Sequence, residues 1–407
     1  MRVLWITNEP LPEALSLLDG REHVSESTGS WVCALSELMG GRVALTVASP
    51  STAVDAPKVL QGRSVTHVLT PPSGYWKQVR EMAAPDVVHI HGTEYPHALA
   101  YVRECGPEGL VVSLQGLVSR CLPYYDGGIP ESVLRSDITI RDRVRRDSHF
   151  DKKRDFERRA KCEEELLRLV HHVIGRTDWD REQSLAINPD ICYHFCNEAL
   201  RAPFYEGKWS VEACRRGSIF ICQGYYPLKG FHMFLEALPE IVSRCPEASV
   251  RVAGPKIVRD DDFKGWLLLS GYGKYLRRLI ADKGLEGRVE FIGELDAFGV
   301  RRELLGCNVA VLPSLIENSP NSLGEAQILG VPVVAAKVGG VPSMIKSPSE
   351  GLMYESGDDR GLAAAVVDAL TSPWDSSLER AAALKRHDRS TVVNTMSDIY
   401  REVASCR

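Results

Sequence analysis

The chain is short of several things that would mark other classes of protein. No apolar run reaches the ~18 residues that a membrane-spanning helix needs, and the opening "MRVLWITNEP" has a single Arg and only a short apolar stretch. It reads as a β-strand and not as a signal peptide. There is no excess of positive charge: the net charge is -5, so a general affinity for nucleic acid is not expected. No CxxC pair occurs, and the 11 cysteines are odd in number and scattered. That usage fits reduced thiols and a cytoplasmic protein. Low-complexity segments and short-period repeats are lacking too.

What is present is a long alternation of strands and helices. At 407 residues the chain exceeds one ordinary core, and two domains are the default. "RVLWIT" (2–7), "RVALTVAS" (42–49), "DVVHIH" (86–91), "LVVSL" (110–114) and "HHVIG" (171–175) read as buried strands. Amphipathic stretches such as "WVCALSELM" (31–39) lie between them. The pattern restarts with "SIFICQG" (218–224), "SVRVAG" (249–254), "RVEFIG" (288–293), "CNVAVLPS" (307–314) and "VPVVAA" (331–336). Near-continuous apolar strands joined by helices predict two α/β domains, each a parallel sheet covered on both faces. The join is expected near 198–216, and the stretch 390–404 reads as a final helix.

Some segments resist that pattern. Residues 8–28 read as a long connection, of the length that is usually functional or disordered. From Arg135 to Lys161 basic residues outnumber acidic ones; this is a solvated helix face, or a patch for an anionic acceptor or a membrane surface. In "CYHFC", Cys192, His194 and Cys196 recur at period two and would share one face of a strand. A zinc site needs a fourth ligand and usually wider spacing, so buried apolar packing is the expectation there.

In open α/β sheets, ligands bind beyond the carboxyl ends of the strands. Three stretches sit at such ends. In "TGSW" (28–31), Gly29 precedes a helix, where backbone N–H groups are open to phosphate. In "QGYYPLKG" (223–230), Lys229 stands near a helix start as a point charge for a phosphate. In "SLIENSPNSLGEAQILGVPVVAAKVGGVP" (314–342), Glu317 follows a buried strand and Glu325 lies in the next helix, about two turns along. Ser319 is a candidate cap for that helix and Pro320 fits its first turn. A carboxylate at Glu325 among apolar neighbours needs partners, and sugar hydroxyls would serve.

Together these segments resemble the retaining family-4 (group 1) glycosyltransferases of GT-B fold. The E-x7-E signature between "VLPSLIENSPNSLGEA" and "GVPVVAAKVGGVPSMI" and the Lys-Gly segment "YYPLKGFHMFLEAL" carry the likeness, densely in the C-terminal half and loosely in the N-terminal half. The resemblance implies two Rossmann-like domains facing across a cleft. An acceptor domain would span 1–200, with the C-terminal helix of about 385–407 returning to it, and a donor domain would span 201–384. It implies a nucleoside-diphosphate sugar donor, a glycan, lipid-linked or small-molecule acceptor, no nucleic acid, no metal or other cofactor, and a cytoplasmic setting with peripheral contact at the inner face of the membrane. Glu325 would bind the donor's ribose, Glu317 would lie by the transferred sugar, Asn321 and Ser322 would offer donor contacts from the turn and helix start, and Lys229 would bind the diphosphate. Gly29 would lie against the donor.

Three departures from the family pattern follow. An Arg common five residues before the Lys is Gly224 here, so a cation from elsewhere is needed, and Arg176 in "GRTDWDR" is the expected substitute. A His common after the fifth N-terminal strand is Gln115, which donates a hydrogen bond but is no acid. Pro320 lacks an N–H, which removes one backbone donor. "DWD" (178–180) matches the carboxylate pair that binds metal in the other large glycosyltransferase fold; an acid-rich helix start is the alternative. The expectation is a metal-independent retaining transferase with Glu317 and Gln115 at the reacting centre. A nucleotide-sugar epimerase of the same fold and a non-catalytic sugar-nucleotide-binding subunit are the competing readings.

Overall fold

The computed structural model describes residues 1–23, 30–258 and 263–406; Gly29 lies outside them. The chain divides into two compact units, the first Met1–Arg120, Glu157–Arg201 and Arg386–Arg407, the second Cys121–Phe156 and Ala202–Lys385. Among the described residues, no helix is long and apolar enough to cross a membrane.

The first unit is built on an eight-stranded sheet. Its strands are β1 (Arg2–Ile6), β2 (Ala44–Pro50), β3 (Lys58–Gln61), β4 (Thr66–Thr70), β5 (Val87–His91), β6 (Leu110–Ser113), β7 (His172–Gly175) and β8 (Cys192–Phe195). They lie in the order β3-β4-β2-β1-β5-β6-β7-β8, all parallel except the edge strand β3. Side chains alternate along β1: Leu4 and Ile6 join one buried cluster, Val3 and Trp5 the other. Both faces are therefore covered, as a parallel sheet requires. The helix Arg389–Ser405 supplies Val392, Val393, Met396, Ile399, Tyr400 and Val403 to the Trp5 side.

Of the stretch 8–28, the described part, 8–23, is more than a connection. Pro12–Asp19 is a helix with Pro in its first turn, closed by Gly20 at φ 73°. Its Glu13 reaches His67 of β4 at 2.9 Å.

Two buried polar groups set the chemistry of this unit. The Trp5 indole N–H donates to the Tyr400 hydroxyl (2.8 Å), which lies 2.7 Å from His89 Nδ1, and His89 Nε2 lies 2.6 Å from Ser113 Oγ. Burial, then the neighbouring His91, hold the His89 imidazole well below its usual range, so the ring is neutral and has one donor and one acceptor for its two partners. Past β5, Glu163 accepts from the Thr93 hydroxyl, the Val118 N–H and both the N–H and hydroxyl of Ser119. Nearby Glu94 accepts from the Gly116 N–H at 3.0 Å, and its other oxygen is buried without a hydrogen bond. Burial pushes the Glu94 carboxyl up to about 7; backbone amides at Glu94 and Gly116 pull it down, and the Glu163 charge pushes it further up.

The second unit has six parallel strands: β9 (Ser218–Ile221), β10 (Ser249–Ala253), β11 (Val289–Gly293), β12 (Val309–Leu312), β13 (Val333–Ala336) and β14 (Leu352–Tyr354). Their order, β11-β10-β9-β12-β13-β14, is that of a dinucleotide-binding sheet, with the chain reversing direction of growth between β9 and β12. Residues 121–156 count with this unit, a departure from the expected 1–200 boundary. The cause is local packing. Ile129 and Leu134 enter the second unit's core, Arg278 holds the Asp137 carboxylate with two hydrogen bonds, and the Gly271 N–H donates to Asp142. Sequence periodicity reports each helix but not the sheet it packs against.

Two outcomes test this account. Tyr400→Phe strands the Trp5 N–H and a His89 nitrogen inside the core, and should destabilise the first unit by about 2–4 kcal/mol in urea unfolding; a loss under about 0.5 kcal/mol would mean that the hydroxyl does not organise this network. Glu94 binds its proton more tightly folded than unfolded. Stability therefore falls as pH rises from the ordinary carboxylate value of 4.5 to about 7. Glu94→Gln should remove a share of that fall on the order of 3 kcal/mol, read as unfolding free energies at about pH 5 and about pH 8. Parallel pH curves for variant and parent would contradict it.

Candidate functional site

The carboxyl ends of β9, β12 and β13 are locked together backbone to backbone. After β9 the chain makes a short turn, Pro227–Lys229, and passes through Gly230 at φ 67°. A Cβ on Gly230 would stand 1.8 Å from the Pro313 carbonyl oxygen, so no other residue fits there without movement. The Leu315 N–H donates to the Leu228 carbonyl at 2.9 Å. On the far side, the Gly340 N–H donates to the Glu317 carbonyl at 2.9 Å, and a Cβ on Gly339 (φ 49°) would come within 2.0 Å of that oxygen.

This clamp brings Lys229 and Glu317 together at the switch point of the sheet. Lys229 Nζ and Glu317 Oε1 are 2.6 Å apart, and both side chains are largely buried. Burial disfavours the ammonium, but the charge of Glu317, followed by Tyr226 and the hydrogen bond to Glu317, outweighs it and raises the Lys229 pKa above its ordinary value. The Tyr226 ring centroid lies 5.9 Å from Nζ.

Behind the pair runs the helix Asn321–Leu329, with Asn321 and Ser322 as its first residues. Pro320, and not Ser319, occupies the N-cap position, and no side chain caps the helix. Ser319 Oγ instead faces the Met344 sulfur at 3.7 Å. A helix start of this kind leaves N–H groups and the positive end of the dipole pointing at the strand ends. Glu325 is the fifth residue of the helix, nearer one turn along than two, and it is buried.

Gly224 has no space for the family's Arg. A Cβ there would meet Val252 Cγ1 at 2.8 Å and Phe231 at 3.1 Å. Arg176, the expected substitute, stands past β7 in the first unit and is buried. It pairs with Glu198 at 2.5 Å and donates to the Leu114 carbonyl at 3.2 Å. Gln115 also donates to Glu198, at 2.7 Å. Glu198 thus joins two of the sequence-selected residues and takes up the Arg176 charge. In the sequence Glu198 is simply the first residue of the stretch 198–216 expected to join the domains, and Glu94 stands in no motif.

"DWD" is a helix start. Thr177 accepts from the Asp180 N–H, and the buried Asp180 carboxylate accepts from the N–H groups of Arg176 and Thr177 and lies 2.5 Å from the Tyr193 hydroxyl. Those partners engage both oxygens of Asp180, as the acid-rich helix start expected there would.

Residues 216–372 match the family model described as glycosyl transferases group 1. Among curated proteins, the chain is similar to a D-inositol 3-phosphate glycosyltransferase of Corynebacterium efficiens, 23% identical over 60% of this chain and 55% of that protein. It is also similar to the lipopolysaccharide core biosynthesis glycosyltransferase LpsE of Rhizobium meliloti, 30% identical over 39% of this chain and 40% of that one. The chain thus spans about half or less of the length of these relatives. Among solved structures, a sucrose-phosphate synthase from Thermosynechococcus elongatus aligns over 100% of both chains with a TM-score of 0.69 at 15% identity. Anabaena HepE in complex with UDP aligns over 99% of this chain and 100% of its own, with a TM-score of 0.66 at 16% identity. The strand order, the clamped strand ends and these likenesses agree: the chain has the GT-B fold, and its residues 216–372 match the model of the glycosyl transferases group 1.

Proposed function

We propose that this protein is a retaining glycosyltransferase that moves a sugar from a nucleoside-diphosphate sugar to a glycan, lipid-linked or small-molecule acceptor, with no metal ion at the diphosphate. The observation that carries the reading is the Lys229–Glu317 pair at the switch point, in front of a helix with no side-chain cap. Without donor, each group neutralises the other. A diphosphate takes over the Lys229 ammonium charge for charge, and this frees the Glu317 carboxylate for the sugar. The Asn321–Ser322 helix start adds N–H groups, and Glu325 holds the ribose hydroxyls. Structures of HepE with UDP and with UDP-glucose support a nucleotide sugar as the donor class. The transferase names of the relatives favour transfer over epimerisation. The transition state resembles an oxocarbenium ion, stabilised by the positioned phosphates and by Glu317. In the first unit Gln115 is the proposed hydrogen-bond donor to substrate, and Arg176, through Glu198, positions that amide.

The reading includes a cytoplasmic protein that touches the membrane surface. Much of the positive charge between Arg135 and Lys161 is paired within the protein: Arg141 with Asp147, Lys153 with Asp126, Arg135 with Glu131. The support narrows to the helix Ile140–Arg145, where Ile140 (58% exposed) and Val144 (78% exposed) stand out from a background of Arg143, Arg145 and Arg146. Apolar side chains ringed by arginine suit an anionic lipid surface.

Kinetics separate the two glutamates. Glu325 contacts a part of the donor that does not react, so Glu325→Ala should mainly raise the donor KM. Glu317→Gln keeps shape and loses charge where positive charge grows; kcat should fall about 100-fold or more, with the affinity for bare nucleoside diphosphate undiminished because Lys229 is set free. Lys229→Ala should weaken the nucleoside diphosphate by about 10- to 150-fold and leave the nucleoside unchanged. A fully active Glu317→Gln enzyme, measured with the donor varied, defeats the proposal. For the membrane, the parent should sediment with anionic vesicles and release as salt rises, and Val144→Glu should reduce the bound fraction several-fold; equal sedimentation of both would remove the helix Ile140–Arg145 from the contact.

A further inference from the structure

Strands β7 and β8 are paired so that His172 lies opposite Cys192 and Ile174 opposite His194. Side chains alternate along a strand, so Cys192 and His194 leave β8 on one side, and His172 leaves β7 on that side beside Cys192. The last turns of the helix Arg389–Ser405 bring Glu402 to the same spot. One ligand atom from each of His172, Cys192, His194 and Glu402 lies within 4.8 Å of all the others. His172 Nδ1 and His194 Nε2 are 3.0 Å apart, Cys192 Sγ and Glu402 Oε1 3.8 Å, and His194 Nδ1 and Glu402 Oε2 3.9 Å. Ordinary zinc bond lengths in a tetrahedron put neighbouring ligand atoms roughly 3.3–3.7 Å apart. Side-chain rotations that draw these atoms in from a spread of up to 4.8 Å, with one ring nitrogen of His194 as ligand, would complete a coordination shell. The two imidazoles are buried, the thiol is half-buried and the carboxylate is exposed, so the site is closed on the protein side and open for an ion to enter.

We propose that His172, Cys192, His194 and Glu402 bind one zinc ion, which fastens the C-terminal helix to the edge of the first sheet. A thiolate, two imidazoles and a carboxylate form a mixed set that suits zinc among the common divalent ions. All four positions are filled by protein, which makes the role structural and leaves no place for substrate. As the zinc–sulfur bond forms, the Cys192 thiol releases its proton to solvent. Cys196, the third member of the period-two run, is not a ligand: its sulfur turns into the core toward the Val392 carbonyl, at 3.8 Å. Only Cys192 and His194 stand in that local run; His172 comes from the neighbouring strand and Glu402 from the far end of the chain. The inference is independent of the proposed transfer reaction, whose donor residues Lys229, Glu317 and Glu325 belong to the second unit.

The test uses the full chain, produced without a histidine tag and purified without chelators. After zinc loading and dialysis, elemental analysis should find about one zinc per chain. Replacing zinc by cobalt should give the visible absorption of a tetrahedral site together with a near-ultraviolet thiolate-to-cobalt charge-transfer band. Cys192→Ser should abolish that band and weaken zinc binding by at least about tenfold. Cys105→Ser, which removes a thiol on another helix, should change neither. Added zinc should raise the Tm of the parent and not that of Cys192→Ser. The parent measurements need no variant to fold: parent protein that retains no zinc and shows no thiolate–cobalt band overturns the proposal, and so does a band that survives in Cys192→Ser.

Discussion

The ion pair between Lys229 and Glu317 is the contact on which the second unit's functional end depends. Its two members come from different strand ends, and each is fixed by backbone rather than by its own packing. Gly230 lets the β9 turn sit on Pro313, and Gly339 lets the β13 turn sit on the Glu317 carbonyl. A pair this short and this sheltered gains little in net stability, because both ions give up water to form it. Losing one partner is much worse, since the other is then a sheltered charge alone. The arrangement is therefore poorly suited to be a mere brace. It suits an exchange of counter-ion, in which an incoming anion replaces one carboxylate without leaving the ammonium bare.

The first unit solves the same problem differently. Its buried ionisable groups are mostly held neutral or saturated with hydrogen bonds. His89 is neutral because it is buried beside His91, and Glu163 accepts four hydrogen bonds from Thr93, Val118 and Ser119. Arg176 is matched by Glu198. Glu94 is the exception, with one oxygen unserved and a carboxyl that titrates near neutrality. A buried carboxyl left in that condition beyond the carboxyl end of β5 is a cost to the fold that its neighbours do not offset.

The parts of the fold that were legible in the sequence are those written in periodicity. Continuous apolar runs marked β1, β2, β5, β6, β7 and β9 to β13, because strands covered on both faces admit few polar residues. The edge pieces β3 and β14 are short and carry less of that signal, and β4, an inner strand beside β3, is not among those runs either. Pro12–Asp19 was hidden by its prolines, although Pro at a helix start and Gly at its end are themselves signals. In the site, the seven residues between Glu317 and Glu325 span the stretch after a strand end and the first turn of a helix. Glu198 and Glu402 could not be read, because their meaning lies wholly in partners distant along the chain: Gln115 and Arg176 for one, Cys192 and His194 for the other.

The absent arginine at Gly224 shows how the site's charge is limited by packing. Between Val252 and Phe231 there is no room even for a Cβ without displacement. The cation that relatives of this pattern carry there is excluded sterically, and the buried Arg176 is already balanced by Glu198. Lys229 is left as the one sequence-selected cation in the second unit, helped by the partial charge of a helix start worth a fraction of an elementary charge. A diphosphate held by one full charge and a dipole binds less tightly than one held by two full charges. The difference need not slow the reaction. Interactions that hold donor and transition state equally lower KM without raising kcat, so in the proposed reaction a site with one lysine would release its spent nucleotide more readily. What the proposed transfer must keep is a carboxylate beside the sugar, the role proposed for Glu317, the residue to which Gly339 and Gly340 give a fixed backbone.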